Sequence, residues 1–127
     1  MGMLRKRVKV SNINNPDLSF EKDFWIDTGA LHSFVPEDWL EKIKVEPTST
    51  KNLILADGRE FRRLFGYCRF EIEGLESQEI CPVVFGPKDS MFLIGATTLE
   101  NFGVEVDPNN KELKPILAII GGFLASA

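Results

Sequence analysis

The 127 residues, 43% hydrophobic and 27% charged, have the make-up of one soluble globular domain with a single core. A net charge of −4 gives no basic footprint for nucleic acid, and no stretch approaches the ~20 apolar residues of a membrane span. The first apolar run is too short and too charged for a signal peptide, so the expected location is cytoplasmic.

Residues 4–10 and 18–26 read as strands, joined by an Asn- and Pro-rich loop from Asn12 to Pro16. Arg5-Lys6-Arg7 alternates into Val8 and Val10 and is expected to flank an edge strand. Leu18, Phe20, Phe24 and Ile26 keep a period of two, which predicts one buried face. Ser33-Phe34-Val35 is a further short strand. Pro36-Glu37-Asp38 then opens a helix, ending near Lys44, with Trp39, Leu40 and Ile43 on its apolar side. Pro47 to Thr50 reads as a loop.

Asn52 to Gly58 is an apolar strand closing on the turn Ala56-Asp57-Gly58, and Arg59 to Leu64 returns antiparallel. This hairpin is either a plain surface feature or a mobile cover over a cleft. Gly66–Ile72 and Glu79–Phe85 form a second hairpin. Its turn at 73–76 sets Cys68 opposite Cys81, leaving a cross-strand disulfide or two buried free thiols, with the thiols favoured in a cytosolic chain. Met91 to Gly95 is a continuous apolar run, the sign of a strand buried on both faces. Thr97 to Phe102 is a short helix stopped by Gly103, and 104–107 with 112–117 make a third hairpin. Short strands at close spacing with two brief helices indicate a closed all-β domain spanning 1–127.

Phe24-Trp25-Ile26 runs into Asp27, then Thr28, Gly29 and Ala30. A strand ending on a carboxylate places Asp27 either in a capped structural turn or in an active site, because burying an unpaired ionised Asp costs several kcal/mol. The tripeptide alone occurs by chance in about two such chains in a hundred, so its context has to decide. Two cysteines make neither a disulfide framework nor a zinc site. The single histidine, His32, has no Cys or second His near it. No metal and no cofactor are expected, and no Ser-His-Asp or Cys-His set exists. A hydrolase built on this chain would use carboxylates.

Asp27-Thr28-Gly29-Ala30 with the strand Ser33–Pro36, followed later by Leu93-Ile94-Gly95 and a helix, resembles the retropepsin-like aspartic proteases, the family of the retroviral enzymes and their cellular relatives. The resemblance covers about 18–115. It implies an all-β, closed acid-protease-type barrel with a flap hairpin over Asn52–Leu64 and one or two short helices. It also implies a homodimer, because this chain has a single Asp-Thr-Gly and the chemistry needs two facing carboxylates that share a proton. The implied activity is aspartic endopeptidase action on extended polypeptide, with Asp27, Thr28 and Gly29 in the catalytic loop. Ala30, Ala56, Asp57, Gly58, Ile94 and Gly95 would bind substrate, and the flap would pair with it as an added strand. Ile94 and Leu93 also read as plain core.

Viral relatives often carry an Asp just after the first motif and an Arg just after the Gly of the second. Here Leu31 and Ala96 occupy those positions, so that ion pair is missing. The flap segment carries Asp57, Arg59 and Glu60 where viral flaps are Gly-rich. The apolar tail 118–127 is either a subunit interface or a segment of its own subunit's barrel or a frayed end. The second reading for the whole chain is a non-catalytic dimerisation or peptide-binding module on the same fold.

Overall fold

Alternation of apolar and polar side chains lays down the first two strands of the computed structural model, which describes residues 4–116. Strands β1 (Leu4–Ser11) and β2 (Ser19–Ile26) pair antiparallel, from Leu4 opposite Ile26 to Ser11 opposite Ser19. Val8, Val10, Phe24 and Ile26 are buried on the inward face. Asn12 fixes the connection. Its side-chain oxygen accepts the N–H groups of Asn14 and Asn15, and its amide donates to the carbonyls of Ile43 and Lys44. Arg5–Arg7 pairs with Asp23–Trp25 of β2, and Val8–Ser11 gains a second partner in Arg69–Ile72.

Strand β3 (Ser33–Pro36) runs directly into α1 (Glu37–Lys42). Pro36 stands at the N-cap with extended ψ, and Glu37 and Asp38 fill the first turn, where the helix dipole favours acids. The helix ends at Lys42, short of the expected Lys44. Leu40 is fully buried beneath it.

Strand β4 (Pro47–Ile54) begins at Pro47, so the loop expected over Pro47–Thr50 is a correction. Ser and Thr suit a pleated surface, and β5 (Glu60–Ile72) is long enough to pair with the whole segment. The register shifts between Pro47 and Ser49, where proline has no N–H to give to the ladder. β4 ends at Ile54, before the expected Ala56-Asp57-Gly58 terminus, and residues 55–59 make the turn, with Gly58 at φ +88°. β5 is one strand of 13 residues where two were expected. Gly66 does not break it. It is the point of close packing, because a Cβ there would lie 3.0 Å from the Glu46 carbonyl oxygen.

Strand β6 (Gln78–Gly86) returns along β5 with Cys68 opposite Cys81, and both are buried free thiols. Strand β7 is only Leu93–Ile94, shorter than the expected Met91–Gly95 run; the Phe92 carbonyl still accepts the Trp25 N–H at 2.9 Å, and Met91 is 51% exposed. It pairs parallel with β2 and antiparallel with β3. Helix α2 (Ala96–Asn101) follows, then β8 (Val104–Asp107) and β9 (Glu112–Pro115).

The larger sheet runs β1-β2-β7-β3-β6-β5-β4, with β1 also on β5, and β8-β9 is separate. The molecule is therefore mostly β-sheet with two short helices, as the all-β reading expects. Buried side chains from β1, β2, β3, β5 and β6 form one core with Leu40, Ile94 and Leu99. Among the described residues, no helix is long and apolar enough to cross a membrane. The end of the third hairpin at Leu117 and the 118–127 tail lie outside the described residues.

Candidate active site

Asp27 is carried at the C-terminal end of β2, just beyond buried Phe24 and Ile26. Its N–H donates to the Ile94 carbonyl at 2.9 Å, which continues the parallel pairing of β2 with β7 by one rung. The chain then turns. The Gly29 N–H donates to Asp27 Oδ1 at 2.9 Å, and the Ala30 N–H to the Asp27 carbonyl at 3.1 Å. The carboxylate is half-buried, so it escapes most of the desolvation cost that a strand ending on an acid suggested. One carboxylate oxygen is fixed by the loop. A Cβ at Gly29 would lie 3.2 Å from that oxygen, so the smallest residue gives the carboxylate its place. Thr28 and Gly29 are exposed.

The loop is clamped from below. Ala96 N–H donates to the Ala30 carbonyl at 2.7 Å and Thr97 N–H to the Leu31 carbonyl at 3.0 Å, so the start of α2 holds residues 30 and 31. Gly95 lies so close that an added Cβ would meet the His32 carbonyl and come within 2.8 Å of the Ala30 oxygen. Its φ of −96° is ordinary, so space and not backbone conformation requires glycine there. Ser33 Oγ accepts the Gly95 N–H at 3.0 Å and lies 2.6 Å from Thr98 Oγ1, both hydroxyls buried.

The two sequence motifs are thus brought together: Asp27, Thr28, Gly29 and Ala30 form one loop on Ile94 and Gly95. Ile94 is fully buried, so its side chain packs in the core and its carbonyl faces the loop. Ala56, Asp57 and Gly58 stand apart at the β4–β5 tip. Their hydrogen bonds stay within that hairpin, with Gly58 N–H on the Leu55 carbonyl and the Asp57 carboxylate on the Arg59 N–H and Nε. Asp57 is therefore neutralised locally by Arg59 at 2.7 Å.

Arg63 braces the hairpin. Its Nε donates to the Phe85 carbonyl at 2.7 Å and its Nη2 to Glu37 at 2.8 Å. His32 packs edge-on to Phe65 with ring centroids 5.1 Å apart, and its Nδ1 is buried without a hydrogen-bond partner among the described residues. Burial and, next, the Lys51 charge hold His32 below its usual pKa. Ser33, Thr98 and Arg63 gave no motif in the sequence. The one available signal was a hydroxyl at an inward position of the strand Ser33–Pro36. Among the described residues, no group of three or more His, Cys, Asp or Glu side chains is placed to hold a metal ion.

The class these features define is an all-β domain with an Asp-Thr-Gly loop seated on a two-residue inner strand. No protein-family model matches the chain, and no curated protein sequence matches it. Among solved structures, the fold is similar to that of the foamy viral protease-reverse transcriptase, determined in complex with an RNA/DNA hybrid, with a TM-score of 0.54 and 16% sequence identity. The match covers 93% of this chain and 13% of that one, so this chain spans about an eighth of that protein's length. The likeness is one of fold alone.

Proposed function

We infer that this chain is an aspartic endopeptidase that cleaves extended polypeptides as a two-fold homodimer, with residues 1–127 as its single domain. The observation that carries the reading is the seating of Asp27: a half-exposed carboxylate at the end of β2, one oxygen held by the Gly29 N–H, on a loop clamped by Gly95 and the start of α2. The pairings β1-β2-β7-β3-β6-β5 and back to β1 support a closed barrel as its frame. The fold likeness to a viral protein that includes a protease adds to it.

In the proposed reaction Asp27 of each subunit faces the other across the two-fold axis. One carboxylate is ionised and takes a proton from a water as that water attacks the scissile carbonyl. The other is protonated and donates to the carbonyl oxygen, and the proton gained from water then passes to the leaving amine. Thr28 and Gly29 fix the carboxylates, and Ala30, Ile94 and Gly95 form the floor. The β4–β5 hairpin, with Ala56, Asp57 and Gly58 at its tip, is the cover.

The test is cleavage of an unfolded protein by the purified chain at acid to neutral pH, alongside sedimentation at the same concentrations. Cleavage is expected to be abolished by Asp27→Asn and by pepstatin, and to track the dimer. Cleavage that persists in Asp27→Asn overturns the assignment. Peptide binding without turnover points to the non-catalytic module.

A further inference from the structure

At the opposite end of β2 from Asp27 the fold leaves a cavity of about 300 Å³. A strand rises about 3.3 Å per residue, which puts roughly 20 Å between Phe20 in this cavity and the Asp27 loop. One wall is the chain entering β2, with Asp17, Leu18 and Phe20. The other is the later part of α1 and its end, with Trp39, Lys42 and Ile43. The two walls are tied together. The Asn12 amide donates to the Ile43 and Lys44 carbonyls, and its oxygen accepts the Asn14 and Asn15 N–H groups. Asn15 in turn accepts the Asp17 N–H on its side-chain oxygen and the Leu18 N–H on its carbonyl. The cavity is therefore pre-formed, as ligand sites usually are.

Its floor is aromatic. Phe20 and Trp39 meet edge to face at 5.1 Å, and Phe92 closes on the two rings at 6.1 and 5.5 Å. Asp17 and Lys42 line the same cavity, exposed and of opposite sign. Neither forms a salt bridge among the described residues. The Lys42 ammonium lies 5.1 Å from the Trp39 ring centroid, so the ring holds it beside the floor. Lys22 brings a second ammonium to 4.6 Å from the same ring. A ligand that is only an anion is repelled by Asp17. One that is only a cation is repelled by Lys42 and Lys22. Charge complementarity therefore asks for both signs on one molecule, beside an apolar group. The volume of about 300 Å³ is at the low end for ligand pockets, room for a residue-sized molecule and not for a length of chain.

We propose that this cavity binds a free α-amino acid with a large apolar side chain. The side chain fills the floor made by Leu18, Phe20, Trp39 and Ile43. The α-carboxylate accepts from the Lys42 ammonium, and the α-ammonium donates to the Asp17 carboxylate. The C-terminal residue of a polypeptide fits less well, because its nitrogen is a neutral amide that offers Asp17 no charge. No residue of the Asp27 loop or of the β4–β5 hairpin takes part, so the site stands whether or not Asp27 cleaves peptide bonds.

The test titrates isotope-labelled full-length protein with L-phenylalanine and follows the amide and indole resonances by NMR. Saturable shifts are expected at residues 17–20 and 39–43 and at the Trp39 indole. Phenethylamine lacks the carboxylate and hydrocinnamate lacks the ammonium. Each is expected to bind roughly two- to fivefold more weakly than phenylalanine, the range of one exposed ion pair. Lys42→Gln should bring the phenylalanine-to-phenethylamine ratio to about one, and Asp17→Asn should do the same for hydrocinnamate. Because each ratio is taken within one variant, a general change in affinity cancels. Glycine, with no side chain to fill the floor, should leave these resonances unmoved. The proposal is overturned if phenylalanine does not shift them, if glycine shifts them as strongly, or if either analogue matches phenylalanine in the parent. It is also overturned if a preference survives its substitution, or if N-acetyl-phenylalanine binds more tightly than phenylalanine, which would give the cavity to peptide ends.

Discussion

The hydroxyls of Ser33 and Thr98 meet at 2.6 Å across 65 residues of sequence, in the buried ground between β3 and α2. Ser33 Oγ also accepts the Gly95 N–H, so one side chain joins the strand, the helix and the floor of the Asp27 loop. Removing it leaves the buried Gly95 N–H without its acceptor and costs Thr98 one of its partners, the Cys81 thiol being the other. Removing the Thr98 hydroxyl leaves Ser33 still bonded to Gly95. Ser33→Ala is therefore expected to cost about 1–3 kcal/mol and Thr98→Val about 1 kcal/mol, in that order. Denaturant titration of the two variants checks this, and an equal or reversed ranking sinks the account.

Two glycines beside Asp27 are expected to fail in different ways. At Gly95 an added Cβ meets the backbone carbonyls of His32 and Ala30, which cannot swing aside. Gly95→Ala should cost roughly 1–3 kcal/mol or more, with any Asp27-dependent activity lost along with it. At Gly29 the neighbour is a rotatable carboxylate 3.2 Å away. Gly29→Ala should change stability by about 1 kcal/mol or less while turning Asp27 out of place. Thermal melts beside cleavage rates separate the two, and equal melting losses would refute the distinction.

Arg63 ties the base of the β4–β5 hairpin to the body through Phe85 and Glu37, both of its contacts partly buried. Lys cannot make two divergent bonds in a fixed fork, so Arg63→Lys should behave as a loss and not as a conservative change. The expected result is faster amide exchange through β4 and the outer half of β5, with about 1–2 kcal/mol lost locally and β1–β2 unaffected. Unchanged exchange in β4 would show that the hairpin is held by other contacts.

Much of the frame was legible because it rests on local pattern. Val8, Val10, Phe24 and Ile26 gave the period of two, and the Cys68–Cys81 register followed from one turn. Composition misled at Pro47–Thr50, where a long partner strand outweighs turn-forming residues. The inner strand was read too long, because an apolar run does not reveal that Leu93 alone takes register partners from both neighbouring strands, Trp25 and Phe34, while Ile94 pairs with Ile26. The joining of Asp27 to Ile94 came from a family resemblance, since a parallel pairing between distant segments leaves no local signature. Ser33, Thr98 and Arg63 were silent for the same reason. Each is an ordinary residue whose role exists only once its partner is in place.

His32 predicts how the fold responds to acid. Its pKa is lowered from 6.5, first by burial and then by Lys51. The unfolded chain therefore binds the proton more readily than the folded one, and stability rises with pH across the gap. The contribution is level above the unfolded value. It is lost as pH falls below about 6.5, until the folded ring also protonates. Carboxylates add their own acid dependence, so the informative quantity is the difference between the wild type and His32→Phe, which keeps an aromatic ring against Phe65. That difference should shift in favour of the variant between about pH 7 and pH 5. Lys51→Met should reduce the slope without abolishing it, because burial is the larger cause. Parallel pH profiles for wild type and His32→Phe would show that the ring titrates as freely in the fold as outside it.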